Sequence, residues 1–152
     1  MDDQERSNAP SVEDCDAAYR RTSYMIDAPE APIIVRINQP SDDVDTLVDQ
    51  FGETEWAFIT AYNPYSEVLT PEENEKRHEG LLFDIQTRGL ITFPSYGVDD
   101  DGTWPSEHGL FVIGITREDA IVLGRRLEQN AIVVGVVGGS PELVWCIAEA
   151  NR

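Results

Sequence analysis

Polar residues that could bind a ligand lie on the inward face of one predicted helix. The helix is predicted to begin at Pro71, and on a 3.6-residue wheel its apolar stripe continues backwards through His78 and Asn74, with Arg77 beside it. Ligand crevices of open α/β sheets lie near helix N-termini. An amide donates and accepts hydrogen bonds, and a guanidinium can bind a carboxylate or phosphate. Asn74 and Arg77 are therefore candidate ligand contacts; alternatively, Asn74 holds the Asn63-Pro64 loop and Arg77 pairs with one of the many acids.

Neither histidine has the spacing of a metal motif. A lone histidine at an inward helical position such as His78 is more often a hydrogen-bonded core group than a general base. His108 precedes a predicted strand, and no pair of histidines or cysteines lies at metal-ligand spacing. The sequence therefore predicts no metal site.

Three further candidates lie near predicted strand ends. Glu107 follows Trp104 and precedes a strand, where it could place a carboxylate at the rim of a pocket. Gln129 and Asn130 lie where the third helix leads into the most buried strand. The alternative for Asn130, which its position after the helix favours, is the left-handed residue that ends that helix.

Several familiar chemistries are not supported by motif. The Asp-Asp-Asp-Gly run at 99–102 lacks the alternating acids of an EF-hand and is predicted to be a turn. Ser140 has no Gly-x-Ser-x-Gly context, so it does not resemble the nucleophile of a serine hydrolase. Neither a Walker loop nor a Gly-x-Gly-x-x-Gly fingerprint is present, and the sequence predicts no cofactor.

The charge balance is strongly acidic. In 152 residues, 29 acids against 11 basic residues give a net charge of −18, and Lys76 is the only lysine. Direct binding to a nucleic-acid backbone is not expected, because no basic face could release counterions. Adaptation to a high-salt cytoplasm (a halophilic protein) and mimicry of DNA towards a basic partner both explain such a composition. The acids are spread along the whole chain rather than gathered on one predicted face, which favours salt adaptation.

The length and composition indicate one α/β domain in the cytoplasm. Residues 1–17 carry six acids and few large apolar residues, and they are predicted to be a disordered acidic leader before a single domain at 18–152. No apolar run approaches the ~20 residues that cross a bilayer, so no membrane association is expected. Only Cys15 and Cys146 occur, which fits a reducing compartment.

Turn and capping signals predict the element order ββαβαββαββ. Helices should follow Ser41, Thr70 and Thr116, the second over 71–88 with Thr70 and Glu73 as a capping box. The predicted strands cover residues 19–26, 32–37, 56–62, 90–93, 110–115, 131–137 and 143–146. Because helical crossovers join parallel strands and hairpins join antiparallel ones, the fold class is α/β (α+β), with a mixed sheet of six to seven strands and three covering helices.

The chain resembles a bacterial family catalogued as domain of unknown function 3293. The resemblance runs from residue 18 to about 146 and rests on five short motifs in order: 18–24, Trp56 to Pro64, Glu73-Asn74-Glu75-Lys76-Arg77, Gly102-Thr103-Trp104-Pro105-Ser106-Glu107 and Gln129-Asn130-Ala131-Ile132. It implies no reaction. The polar and aromatic positions that match the family's motifs are Asn63, Asn74, Arg77, Trp104, Glu107, Gln129 and Asn130; His78 belongs to none of them.

Three functions are compatible with these observations. The first is a pocket for a small-molecule or nucleotide-type ligand, with or without enzymatic activity, formed by the seven motif residues. The second is an acidic protein that binds a basic protein partner as a regulator or inhibitor. In the third, the polar residues are purely structural and tie loops to the sheet.

Overall fold

A computed structural model describes residues 12–147 of the chain. The described residues form four α-helices, α1 (Val12–Arg20), α2 (Asp42–Asp49), α3 (Pro71–Thr87) and α4 (Arg117–Arg126). They also form seven strands: β1 (Thr22–Ile26), β2 (Ile33–Val35), β3 (Glu55–Thr60), β4 (Ile91–Asp99), β5 (Glu107–Ile113), β6 (Ala131–Val136) and β7 (Glu142–Trp145). A single 3₁₀ turn covers Pro64–Ser66. The α+β class and the seven strands predicted from the sequence are confirmed.

The strands form one sheet in the order β2-β1-β4-β5-β3-β6-β7. The sequence predicts a mixture of parallel and antiparallel pairs, but all six pairs in the described sheet are antiparallel. The reason lies in the crossovers. Helix α3 joins β3 to β4, which run in the same direction, but β5 lies between them; α4 likewise joins β5 to β6 across β3. Residues 55–136 therefore have the split βαβ arrangement of ferredoxin-like folds.

Each face of the sheet is covered by helices. On one face, Leu81 and Ile85 of α3 and Leu123 of α4 pack against the strands. On the other, Leu47 and Val48 of α2 are buried in a second apolar cluster. Strand residues alternate between these two cores, since successive side chains point to opposite faces.

Short-range capping starts the helices where the sequence predicts. Ser41 and Thr116 each accept a backbone hydrogen bond from the first turn of α2 and α4. At α3 the Thr70 and Glu73 capping box is complete. None of the described helices is long and apolar enough to span a membrane.

The predicted acidic leader is partly wrong. Residues 12–17, expected to be disordered, belong to α1, where Cys15 is only 7% exposed. Residues 1–11 lie outside the described residues. Glu13 of α1 is exposed while Cys15 is buried and Tyr19, one turn on, packs against the apolar cluster of the sheet, so overall acidity concealed an amphipathic helix. Residues 19 and 20, predicted to begin the first strand, also belong to this helix.

Strand β4 extends well past its predicted end at Phe93. The prediction stopped there because Pro94 has no N–H to donate. In the structure, the Pro94 carbonyl accepts a hydrogen bond from the Asp27 N–H at 2.9 Å. The missing donor therefore faces β1 at the end of that ladder, just beyond the last β1 pair of Ile26 with Ser95, and the pairing of Pro94 with Leu110 of β5 is kept.

Candidate functional site

A cavity of about 240 Å³ lies between α1 and the sheet, on the face that α2 also covers. Aromatic side chains supply much of its apolar wall: Tyr19, Tyr24, Phe58 and Trp104. Asn63, Glu107 and Gln129 are among its polar lining residues. A mostly apolar concavity with a few fixed polar groups is the usual form of a small-molecule site, although this one is at the small end of the range.

Glu107, at the start of β5, presents a carboxylate to this cavity. Its Oε2 accepts hydrogen bonds from Asn63 Nδ2 at 2.7 Å and from Trp104 Nε1 at 3.0 Å. Within the described residues, no hydrogen bond reaches its Oε1. Burial raises the pKa of Glu107, opposed by the two hydrogen bonds. One oxygen is thus anchored by the protein and the other is available to a ligand.

Asn63 is the centre of the polar network. It is 4% exposed and adopts the left-handed conformation, with φ 50° and ψ 69°, which asparagine tolerates better than most residues. Its backbone N–H donates to Asn74 Oδ1 at 2.8 Å, and its Oδ1 accepts from Asn74 Nδ2 and the Leu69 N–H. These bonds leave Nδ2 directed at Glu107.

Three long polar side chains hold the segment that carries Asn63. Arg77 donates from Nε to the Ala61 carbonyl at 2.6 Å, and Gln129 donates to the Tyr62 carbonyl at 2.9 Å. Together with the bond from the Asn63 N–H to Asn74, these two bonds fix the three residues that follow β3, which are Ala61, Tyr62 and Asn63. Asn74 and Arg77 therefore position Asn63 rather than line the cavity.

Three groups hold the guanidinium of Arg77. Besides Ala61, it donates to the Leu127 carbonyl at 2.5 Å, and it lies 3.6 Å from a carboxylate oxygen of Glu128. Glu128 is also the residue with positive φ after α4, so Asn130 does not have the left-handed role that the sequence suggested. Asn130 instead donates to Ser66 Oγ at 2.9 Å.

Four of the seven predicted site residues line the cavity and three do not. Asn63, Trp104, Glu107 and Gln129 are lining residues, whereas Asn74, Arg77 and Asn130 hold the adjoining loops. Cys15, Ala18 and Tyr19 of α1 were missed. Their spacing of three and four residues is a helical signal that the acidic composition masked.

A second cluster lies on the other side of the sheet. One nitrogen each of His78 and His108 and one carboxylate oxygen of Glu75 lie within 4.8 Å of one another. His78 is 4% exposed, and its Nδ1 has no hydrogen-bond partner in the described residues. Such a group costs about 1–3 kcal/mol when left unsatisfied. Glu75 and His78 are helical neighbours, but the sequence could not show that β5 brings His108 to them.

The carboxylate of this cluster is oriented by Tyr62. The Tyr62 hydroxyl donates to Glu75 Oε2 at 2.5 Å, and this bond lowers the pKa of Glu75. Burial, with Glu75 close by, raises the pKa of Tyr62 to about 12. Burial and the charge of His108 lower the pKa of His78.

The fold and the cavity define an α+β protein with a split βαβ core and a partly buried carboxylate in an aromatic pocket. A family model described as Protein of unknown function (DUF3293) matches residues 59–132, just under half of the chain. The match confirms the resemblance seen in the motifs, and it spans all seven candidate residues. No curated protein and no solved structure matches the chain.

Proposed function

We propose that the cavity binds a small organic molecule that has an apolar or aromatic body and an amine or hydroxyl donor. The observation that carries this proposal is the carboxylate of Glu107, whose Oε2 accepts two protein hydrogen bonds while Oε1 accepts none from the described residues. Four aromatic rings surround the space in front of it. A partly buried carboxylate with one oxygen free of protein hydrogen bonds favours a ligand that supplies a donor to that oxygen.

Electrostatics favour a neutral or cationic ligand over a phosphate. Arg21 is the only cation among the described lining residues, and it already pairs with Asp101 at 2.9 Å and lies 3.7 Å from Asp99. Arg77, the other candidate for an anion contact, is held by backbone carbonyls and Glu128. A phosphate beside Glu107 would bring like charges together without a compensating cation.

The groups around the cavity favour binding over covalent catalysis. Burial raises the pKa of the Cys15 thiol, and it also raises the pKa values of Tyr19 and Tyr24. A thiolate nucleophile requires the opposite shift. These side chains therefore serve as neutral walls of the pocket.

A thermal-shift screen tests the proposal. The probes are arylalkylamines and phenols, with aryl carboxylates and nucleotides as comparison classes. A ligand at about 100 times its Kd stabilises the folded state by about 2.7 kcal/mol, which raises Tm by roughly 5–10 °C in a domain of this size. Glu107→Gln and the cavity-filling Ala18→Leu should lose this shift. Glu30→Gln, which removes the same charge at an exposed turn residue, should keep it.

Two results would overturn this assignment. Binding of nucleotides alone, or amine binding that survives both cavity variants, would place the ligand elsewhere. If no small molecule binds, the acidic surface becomes the alternative, and capture of a basic protein that is lost on charge reversal would support an interaction role.

We also propose that the protein works in the cytoplasm and that its acidity is an adaptation to salt. Cys15 and Cys146 are both buried free thiols, as a reducing compartment allows. The net charge of −18 is tolerated best where salt screens self-repulsion.

A further inference from the structure

We propose that Glu75, His78 and His108 form a binding site for Zn²⁺ or a similar transition-metal ion. The site lies on the face of the sheet opposite the aromatic cavity, because Glu107 and His108 are consecutive residues of β5 and point to opposite faces. It is therefore independent of the proposed ligand pocket.

The spacing of the donor atoms suits one metal ion. His108 Nδ1 and Glu75 Oε1 are 3.6 Å apart, which is too long for a direct hydrogen bond. Two ligands of a tetrahedral ion with bonds of about 2.0–2.2 Å lie roughly 3.3–3.5 Å apart. A nitrogen of His78 completes the set within 4.8 Å. Closing the three donors around zinc requires shifts of up to about 1.5 Å and a rotation of the stacked imidazoles that makes their lone pairs converge.

The two imidazoles lie face to face. The rings of His78 and His108 stack with centroids 3.7 Å apart and planes inclined by 24°, so their lone pairs point side by side and the zinc-bound state requires one ring to rotate. Tyr96 stacks on His108 at 4.9 Å. Glu75, with its side chain 49% exposed, is the mobile member that can swing onto an ion while Tyr62 holds its other oxygen. Hydrogen bonds of this kind to a ligating carboxylate are typical of metal sites.

The donor types select the ion. Two imidazoles and one carboxylate suit zinc and other transition metals, whereas Mg²⁺ and Ca²⁺ prefer oxygen ligands. Three protein ligands leave a fourth position for water, as in open zinc sites. The buried Nδ1 of His78 has no hydrogen-bond partner among the described residues, and ligation of an ion by this atom would satisfy it.

The experiment is a calorimetric titration of the full-length protein with Zn²⁺ in a large excess of Mg²⁺, which saturates nonspecific sites on the acidic surface. One zinc ion should bind per chain. His108→Ala and Glu75→Gln, both at accessible positions, should each weaken binding by at least about tenfold. Glu79→Gln, which removes an exposed acid on the next turn of α3, should leave the affinity unchanged.

A second measurement uses only the wild-type chain. It contains two histidines, so long-range ¹H–¹⁵N spectra should show both imidazoles shifting together as zinc is added. The proposal is overturned if zinc fails to bind the folded wild type, or binds without shifting both histidines. It is also overturned if the folded His108→Ala and Glu75→Gln variants bind as tightly as Glu79→Gln. None of these readouts depends on a ligand in the cavity.

Discussion

Replacing Asn63 by aspartate should create a destabilisation that depends on pH. The change keeps the side-chain shape and the tolerance for positive φ, but the 2.7 Å contact from Asn63 Nδ2 to Glu107 Oε2 becomes a contact between two carboxylates. At an effective dielectric constant of 20, two charges about 4 Å apart repel by about 4 kcal/mol, and a hydrogen bond to a charged group worth about 1.5–3 kcal/mol is lost.

The folded variant can avoid the full penalty by taking up one proton, which the two carboxylates then share. Unfolded aspartate has a pKa of about 3.9, so holding that proton at pH 7 costs about 4 kcal/mol, and this cost falls by 1.36 kcal/mol for each unit of lower pH. The folded state then binds more protons than the unfolded state, so the stability of the variant decreases as pH rises. We expect a loss of about 4 kcal/mol at pH 7 and about 1–2 kcal/mol at pH 5.

Urea unfolding at the two pH values measures this difference. Asn130→Asp is the matched control, because its partner Ser66 Oγ is a hydroxyl that can reverse and donate to a carboxylate. It should cost less than about 1 kcal/mol at either pH. A loss below about 1 kcal/mol for Asn63→Asp at pH 7, or an equal loss at both pH values, would show that Asn63 does not contact Glu107.

Four other changes test the fold and its charge. Glu107→Gln should raise the urea midpoint at pH 7. Because burial raises the pKa of Glu107 in the folded state, the wild type loses stability as the pH rises through that pKa. The stability gained by the variant should therefore shrink in acid. Arg77→Lys should cost about 1.5–3 kcal/mol, since an ammonium cannot replace the planar fork at two carbonyls, whereas exposed Arg126→Lys should cost under about 0.5 kcal/mol. Gly135→Ala would place a Cβ against the indole ring of Trp56 and should lower Tm by about 2–10 °C. Tm should also rise between about 0.1 M and 1 M NaCl, where the screening length falls from about 10 to 3 Å; a Tm insensitive to salt would contradict salt adaptation.

Local features of the fold could be predicted because their causes are local. The starts of α2, α3 and α4 depend on hydrogen bonds between residues three apart, and Ser41, Thr70 and Thr116 each act as predicted. Strand order depends on contacts between distant residues, so the insertion of β5 between β3 and β4 was not visible. The early end predicted for β4 had the same origin: whether Pro94 breaks a strand depends on which neighbour faces its nitrogen.

The polar residues selected from the sequence lie close together in the structure, but only some of them line the cavity. The polar residues after β3 and at the start of α3 do converge, and Asn63 reaches Glu107 from 44 residues away. The sequence could not decide which polar side chains would line a cavity, because Arg77 and Gln129 are long enough to reach either a ligand or a carbonyl. Helix α1 closes the cavity through Cys15 and Tyr19. The sequence analysis had placed Cys15 in the disordered leader and Tyr19 in the strand that follows it.

The inward polar residues of α3 obey one rule with different results. A buried polar group must be hydrogen-bonded, so each polar residue on that stripe requires a partner. Asn74 has Asn63, and Arg77 has two carbonyls; the protein itself satisfies both, and a ligand is not needed to explain them. The Nδ1 of His78 has no such partner among the described residues, although it faces the same cost of burial. The same criterion that gives Asn74 and Arg77 structural roles therefore singles out His78. Of these three residues, it is the one whose missing partner a bound ion would supply.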